Sequence, residues 1–322
     1  MNVDPDPSAG EAFFPEIEPY RKDWLVMDAG HRIYFEESGN ARGFPVLFLH
    51  GGPGSRTRPA HRRFFDPQFY RIILFDQRGC GLSTPAGFIV ANTTQHLVAD
   101  VEQLRRSLGV QRWLLFGGSW GSTLALAYAI AHPEAVAGMI LRGVFLGSAE
   151  EIQWYLYGMR RFIPEAWAEF TADAGSQPLA RYHQLVGHPD AATALFAARK
   201  WYDYEARMMG SGDLSADTGA PPADELLARA RVQLHYLVND CFLRPGELLD
   251  NLWRIAAFPA VPAVIVQGRM DMICPPAAAV AVAERLPLAD LQMVAGGGHS
   301  ASQPAIASRL CAAARRMQSQ LA

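Results

Sequence analysis

Three residues far apart in the chain have the types and the order needed for acyl transfer. Ser119 stands in Gly117-Gly118-Ser119-Trp120-Gly121, with glycine two positions away on either side. A serine hydroxyl is a weak nucleophile near neutral pH; it needs a base, and the base needs an acid that holds its tautomer and stabilises its charged form. Asp271, in Gln267-Gly-Arg-Met-Asp271, and His299, in Gly296-Gly-Gly-His299, follow downstream in the order nucleophile, acid, base. Each has a plain structural reading when taken alone: a capping serine in a glycine turn, a helix N-cap aspartate, a loop histidine. Read jointly and in this order, they form a candidate triad.

Acyl transfer also needs donors for a developing oxyanion. His50-Gly51-Gly52-Pro53-Gly54 follows an apolar run and exposes backbone amides with no side chains to shield them. Gly52 is one candidate donor, and the amide of Trp120, next to the nucleophile, is the second.

These residues need elements to carry them. Trp113 to Phe116 is short, apolar and aromatic, as a buried strand is, and Ser122 to Ala131 carries helix formers, so Ser119 falls on a strand-to-helix turn. Glycine at 117 and 121 lets the two backbones approach closely there. Trp24–Met27 and Arg32–Phe35, separated by Asp28-Ala29-Gly30-His31, read as a hairpin. Val46–Leu49, Ile72–Phe75 and Met139–Leu141 are apolar runs without alternation, and Thr94 to Leu108 is helical in pattern. Such strands separated by helices predict a mostly parallel, doubly wound sheet covered on both faces. The rhythm stops between Phe145 and Phe258, a helical segment rich in Trp and Tyr with a Gly/Pro/Ser/Asp interruption from Gly210 to Pro222. It resumes with a strand at Val261–Gln267, a helix at Ala277–Leu286, a strand at Leu291–Val294 and a last helix at Pro304–Leu321. The expected organisation is a core formed by residues 1–144 and 259–322 with residues 145–258 inserted as a helical cap. Asp271 and His299 both follow strands, at the edge where open parallel sheets place their sites.

Composition narrows the function classes. A net charge of −3 and 50% hydrophobic residues over 322 argue against a nucleic-acid partner and against a disordered chain. The arginines from Arg56 to Arg63 and at Arg160-Arg161 are short, interrupted clusters and read as solvated faces. Cys80, Cys241, Cys274 and Cys311 show no metal-ligand spacing, so no metal and no cofactor are expected. The first residues lack the basic start and apolar core of a signal peptide, and no long uncharged apolar run occurs, which points to a cytoplasmic protein with no membrane partner. Oligomeric state is left open.

The motifs together carry a resemblance. Phe48-Leu-His-Gly-Gly-Pro-Gly54, Phe75-Asp-Gln-Arg-Gly-Cys-Gly-Leu-Ser83, Gly117 to Leu126, Leu141-Arg-Gly-Val-Phe145 and the Asp271 and His299 motifs resemble the proline iminopeptidases, serine prolyl aminopeptidases of the α/β-hydrolase superfamily. The resemblance runs from about residue 20 to the C-terminus. It implies an α/β-hydrolase fold with a cap, and release of N-terminal proline from peptides or aminoacyl amides through an acyl-enzyme, with Ser119, Asp271 and His299 as triad. The family's Trp-x-x-Trp-Glu corresponds to Trp201-Tyr202-Asp203-Tyr204-Glu205, which assigns Glu205 to the substrate's amine. The family's Glu-Asn-His-Tyr-Phe corresponds to Gln233-Leu234-His235-Tyr236-Leu237, so a second amine-binding carboxylate is missing. Gln233 keeps a carbonyl that can accept a hydrogen bond but carries no charge, so Glu205 is expected to do most of the recognition. Phe145, Tyr155 and Cys274 fall where the family lines its proline pocket, and His235 reads as a packed cap histidine. Loss of the second carboxylate keeps an esterase, lactonase or amino-acid amidase as the alternative. Ser119 argues against dehalogenase and epoxide hydrolase chemistry, which require aspartate at the same turn.

Overall fold

The computed structural model describes residues 13–209, 221–258 and 261–321. The interruption from Gly210 to Pro222 therefore lies, through residue 220, outside the described residues, as do the first twelve residues.

Eight strands form one sheet: β1 (Arg21–Val26), β2 (Arg32–Gly39), β3 (Phe44–Leu49), β4 (Tyr70–Phe75), β5 (Trp113–Gly118), β6 (Val136–Arg142), β7 (Ala263–Gly268) and β8 (Ala289–Val294). Their spatial order is β1-β2-β4-β3-β5-β6-β7-β8. β1 and β2 are the expected hairpin, joined antiparallel to β4, and every later pairing is parallel. The strands lack alternation because both faces are covered. Leu47, Leu115, Leu141 and Ile265 pack on one face with α1 (Thr94–Ser107) and α2 (Trp120–Ala131). Val46, Leu114, Phe116, Ile140 and Val264 pack on the other with the last helix (Pro304–Leu321), through Ile306, Leu310 and Met317.

Between β6 and β7 the described residues contain no strand. Here lie α3 (Ala149–Gln153), a π-helical turn (Trp154–Gly158), α4 (Pro164–Thr171), α5 (Pro178–Val186), α6 (Ala191–Met208), α7 (Ala223–Val238), α8 (Glu247–Asn251) and α9 (Trp253–Ala256). Aromatic packing holds this layer together: Phe170 stacks on Tyr204 at 4.3 Å and on Tyr182 at 4.6 Å, beside Trp201. α10 (Pro276–Arg285) follows β7, and Pro304–Leu321 is then α11.

The helical layer is seated on the sheet's C-terminal edge. Tyr236 on α7 donates its hydroxyl to Asn92 Oδ1 at 2.9 Å and meets the Trp120 indole edge-to-face at 4.8 Å. His235 bonds the Asn92 carbonyl at 2.9 Å, and burial lowers its pKa, so it serves as a packed neutral histidine. The α7 backbone comes so close to the Gly52-Pro53-Gly54 turn that a Cβ on Gly54 would lie 2.5 Å from the Arg229 carbonyl oxygen. Only glycine permits that approach.

Candidate active site

β5 ends in the turn that carries Ser119. Its φ of 56° and ψ of −128° are a left-handed, strained pair for a residue with a Cβ. The strain is held by neighbours on both sides. The Ser119 amide continues the sheet ladder by donating to Arg142 O at 2.8 Å, and its carbonyl accepts from the Ser122 amide and hydroxyl at 2.8 and 2.6 Å. Gly121 lies against β3: a Cβ there would overlap the Leu49 carbonyl oxygen. Ser122 Oγ also accepts from the Phe145 amide at 3.0 Å, and Thr123 Oγ1 donates to Phe145 O at 2.6 Å, so the first turn of α2 also positions the segment that leaves β6.

Asp271 and His299 are joined. Nδ1 of His299 lies 3.0 and 2.9 Å from the two oxygens of Asp271. A carboxylate can only accept, so Nδ1 carries the proton and Nε2 keeps its lone pair. Burial works to raise the Asp271 pKa, but His299 and the Cys274 amide, which donates at 2.8 Å, hold it below the ordinary carboxylate value. Arg142 donates to the His299 carbonyl at 2.7 Å and approaches Nε2 at 3.2 Å. Burial pushes the pKa of the Cys274 thiol well above its usual value, with Asp271 adding to the rise. Cys274 is thus an uncharged thiol on the wall.

The two candidate oxyanion segments are linked by a residue whose role was not read from the sequence. Gln77 donates through its side-chain amide to His50 O at 2.9 Å and through its backbone to His50 Nε2 at 3.0 Å, while its Oε1 accepts from the Trp120 indole at 2.8 Å. One buried side chain therefore sets the Gly52 loop against the start of α2. The signal was present in the Asp76-Gln77-Arg78-Gly79 motif, but its meaning depends on where that loop folds.

Ser119, His299, Gly52, Phe145, Tyr155, Cys274, Glu205 and Gln233 all line one cavity of about 470 Å³. Asp271 stands behind His299, and the Trp120 side chain is buried away from the cavity. Glu205 on α6 receives the Tyr155 hydroxyl and the Gln233 amide nitrogen on Oε1, the latter at 2.5 Å, and Arg229 Nη2 on Oε2 at 3.2 Å. Burial first, and then the Glu205 charge, drive the Tyr155 pKa well above 10, so its hydroxyl keeps its proton and remains a donor. Gln233 Oε1 accepts from the Trp201 indole at 3.1 Å. Indole N–H is a donor only, which fixes the amide with its NH₂ toward Glu205. The Gln233 carbonyl therefore already accepts one hydrogen bond, from Trp201, and its amide nitrogen is committed to Glu205.

Of the arginines after Gly54, Arg62 departs from the expected solvated face, while Arg56, Arg58 and Arg63 stay partly exposed. Arg62 is buried on Glu36 at 2.7 Å, and Arg56 pairs with Glu225 at 2.9 Å while lining the cavity with Arg58. Their partners come from distant segments, which spacing along the chain does not reveal.

A doubly wound sheet with a serine on the turn after its central strand, an Asp–His pair at later strand ends and a helical layer above defines an α/β hydrolase. The chain belongs to the alpha/beta hydrolase fold family, whose model matches residues 45–302. Within that fold it belongs to the proline iminopeptidase family. It is 43% identical over 315 residues to a proline iminopeptidase of Arabidopsis thaliana, covering 95% of this chain and 82% of that one. It is 44% identical over 298 residues to one of Xanthomonas citri, covering 90% and 94%. Among solved structures, an esterase from Rhodococcus aligns with a TM-score of 0.61 at 20% identity over 94% of this chain and 99% of that one. VinJ aligns with a TM-score of 0.62 at 19% identity over 95% and 100%. At these identities the two structures speak for the fold alone.

Proposed function

We propose that this protein is a serine aminopeptidase that releases N-terminal proline from peptides through an acyl-enzyme. Ser119 is the nucleophile, His299 the base and Asp271 its orienting acid. In the first half-reaction the Ser119 proton passes to His299 Nε2 as Oγ bonds the substrate carbonyl carbon. The amides of Gly52 and Trp120 take the oxyanion. His299 then returns the proton to the departing amine nitrogen as the C–N bond breaks. Water repeats the sequence on the prolyl ester, and Ser119 recovers its proton. To enter this cycle His299 Nε2 exchanges Arg142 for the Ser119 hydroxyl.

The observation that carries the reading is Glu205, the one carboxylate among the described residues that line the cavity holding Ser119 and His299. A carboxylate there selects a chain terminus with a free amine, which an internal peptide bond lacks. Phe145, Tyr155 and Cys274 supply the wall of the proline pocket, and a ring without polar side-chain atoms suits it. Residues 145–258 act as the cap that closes over the site. The reading takes small peptides or aminoacyl amides as substrates and a cytoplasmic setting; among the described residues no helix is long and apolar enough to cross a membrane.

The test is kcat/KM on prolyl-arylamide, its N-acetylated form and a simple acyl ester. Preference for the free prolyl amide over the N-acetylated one by about 10²-fold or more is expected. Equal rates on both amides, with faster ester cleavage, would replace this reading by an esterase, lactonase or amidase, the reading favoured by Gln233 standing where the resemblance expects glutamate.

A further inference from the structure

Among the described residues that line the cavity, four are arginines, Arg56, Arg58, Arg142 and Arg229, and one is a carboxylate, Glu205. A pocket built to receive an ammonium would be expected to carry the opposite balance. Arg229 is the one that touches the carboxylate.

The contact follows from two helical rows that face each other. Arg229 and Gln233 are four residues apart on α7, and Trp201 and Glu205 four apart on α6, so each pair shares a helix face. Gln233 is clamped between Trp201 and Glu205, and Tyr155 fills the same Glu205 oxygen as Gln233. Oε2 is then the oxygen not taken by a neutral donor, and Arg229 Nη2 lies on it at 3.2 Å. The hold on Arg229 is slight in comparison. Its side chain is 29% exposed against 12% for Glu205, its guanidinium rests over the Tyr202 ring at 5.5 Å, and its buried Nε has no hydrogen-bond partner among the described residues.

We propose that Arg229 is a specificity-determining residue that occupies the place of the substrate's cation on Glu205, so that a charged N-terminus enters this pocket only by displacing it. The inference rests on Glu205 being the amine-binding carboxylate. In the resting pocket the pair is neutral, and an incoming ammonium meets a like charge at the same oxygen. The displaced guanidinium has the Tyr202 face beside it and the exposed side of the cavity to turn toward. Discrimination for a free amine is weakened by Arg229 itself, in addition to the missing carboxylate at 233.

Binding of L-prolinamide to the Ser119→Ala protein, followed by calorimetry, isolates the effect from turnover. Arg229→Met is expected to tighten Kd by about tenfold or more, Arg229→Lys to leave it near the parent value, and Glu205→Gln to abolish the gain when combined with Arg229→Met. A residue that only braces α6 against α7 would loosen binding when truncated. Arg229→Gln provides a second neutral variant, and circular dichroism shows whether each protein is folded. Tightening of less than about threefold in folded neutral variants, or any weakening, overturns the proposal. Hydrolysis of prolyl-arylamide by the Ser119 protein judges the aminopeptidase reading separately. Cleavage without the Arg229 effect sinks this proposal alone, whereas the Arg229 effect without cleavage sinks the peptidase reading alone.

Discussion

Ser119, Asp271 and His299 stand on backbone that leaves the ends of β5, β7 and β8, whereas Glu205 is set by side chains from the turn after α3, from α6 and from α7. At the first region the main chain does the positioning: the Ser119 amide lies in the ladder, its carbonyl caps onto Ser122, and Asp271 takes the Cys274 amide. At the second, Tyr155, Gln233 and Arg229 meet one carboxylate, and no sheet ladder is involved. A backbone-built site keeps its geometry when neighbouring side chains change. A side-chain-built site can change its charge by a single substitution while the fold persists. The chemistry and the specificity of this protein are therefore separable.

Substitutions at the two ends should show that separation. Ser119→Ala is expected to lower kcat by about 10⁴ or more on prolyl amides and acyl esters alike, with an unchanged unfolding midpoint. A folded variant with parental turnover would break the assignment of the nucleophile. Gly121→Ala tests whether backbone builds the first region. The added Cβ overlaps Leu49 O in the sheet, a neighbour that cannot yield cheaply, so a stability loss of roughly 3 kcal/mol or more in denaturant unfolding is expected. A loss below about 1 kcal/mol would show that the turn has slack.

Glu205→Gln tests the other end. It should lower kcat/KM for prolyl-arylamide by about 10²-fold, about 2.7 kcal/mol, because it removes the carboxylate and leaves Arg229 facing the amine. An ester without an amine should hardly notice. Equal losses on both substrates would mean that Glu205 supports the cap and not the amine.

The smallest effect concerns the loop between the two ends. His61 lines the cavity, stacks on Phe48 at 4.3 Å and accepts from the Arg58 amide at 3.0 Å. Burial, with His50 adding to it, pushes its pKa down to about 3. The folded protein therefore resists a proton that the unfolded chain accepts near the ordinary value of about 6.5, and stability is lost as pH falls from there toward 3. Between pH 7 and pH 5 the parent should lose up to about 2 kcal/mol more than His61→Phe in urea unfolding. Parallel losses would place the acid sensitivity elsewhere.

Glycine positions made much of the first region legible in the chain. Gly54 and Gly121 mark points where two backbones nearly touch, a demand that few other residues meet, so short motifs disclosed the serine turn, the glycine loop after β3 and their order along the sheet. Apolar runs without alternation disclosed a sheet covered on both sides, and the hairpin and later elements fell within a few residues of their expected bounds. Glu205 and Gln233 could also be singled out, by resemblance. What Gln77 does, which way the Gln233 amide points and what sits on Glu205 were decided only by tertiary structure. Each depends on partners more than twenty residues away: Trp120 for Gln77, Trp201 for Gln233, Arg229 for Glu205. A hydrogen bond between side chains on two helices needs their relative rotation and translation, which packing of the whole aromatic layer sets and local sequence does not encode. The amino-acid sequence by itself determined the glycine turns around Ser119 and after β3 and the order of the elements that carry Ser119, Asp271 and His299. The charge balance around Glu205 emerged only when α6 and α7 were packed face to face, because a carboxylate's partners are chosen by distance in space and not by spacing along the chain.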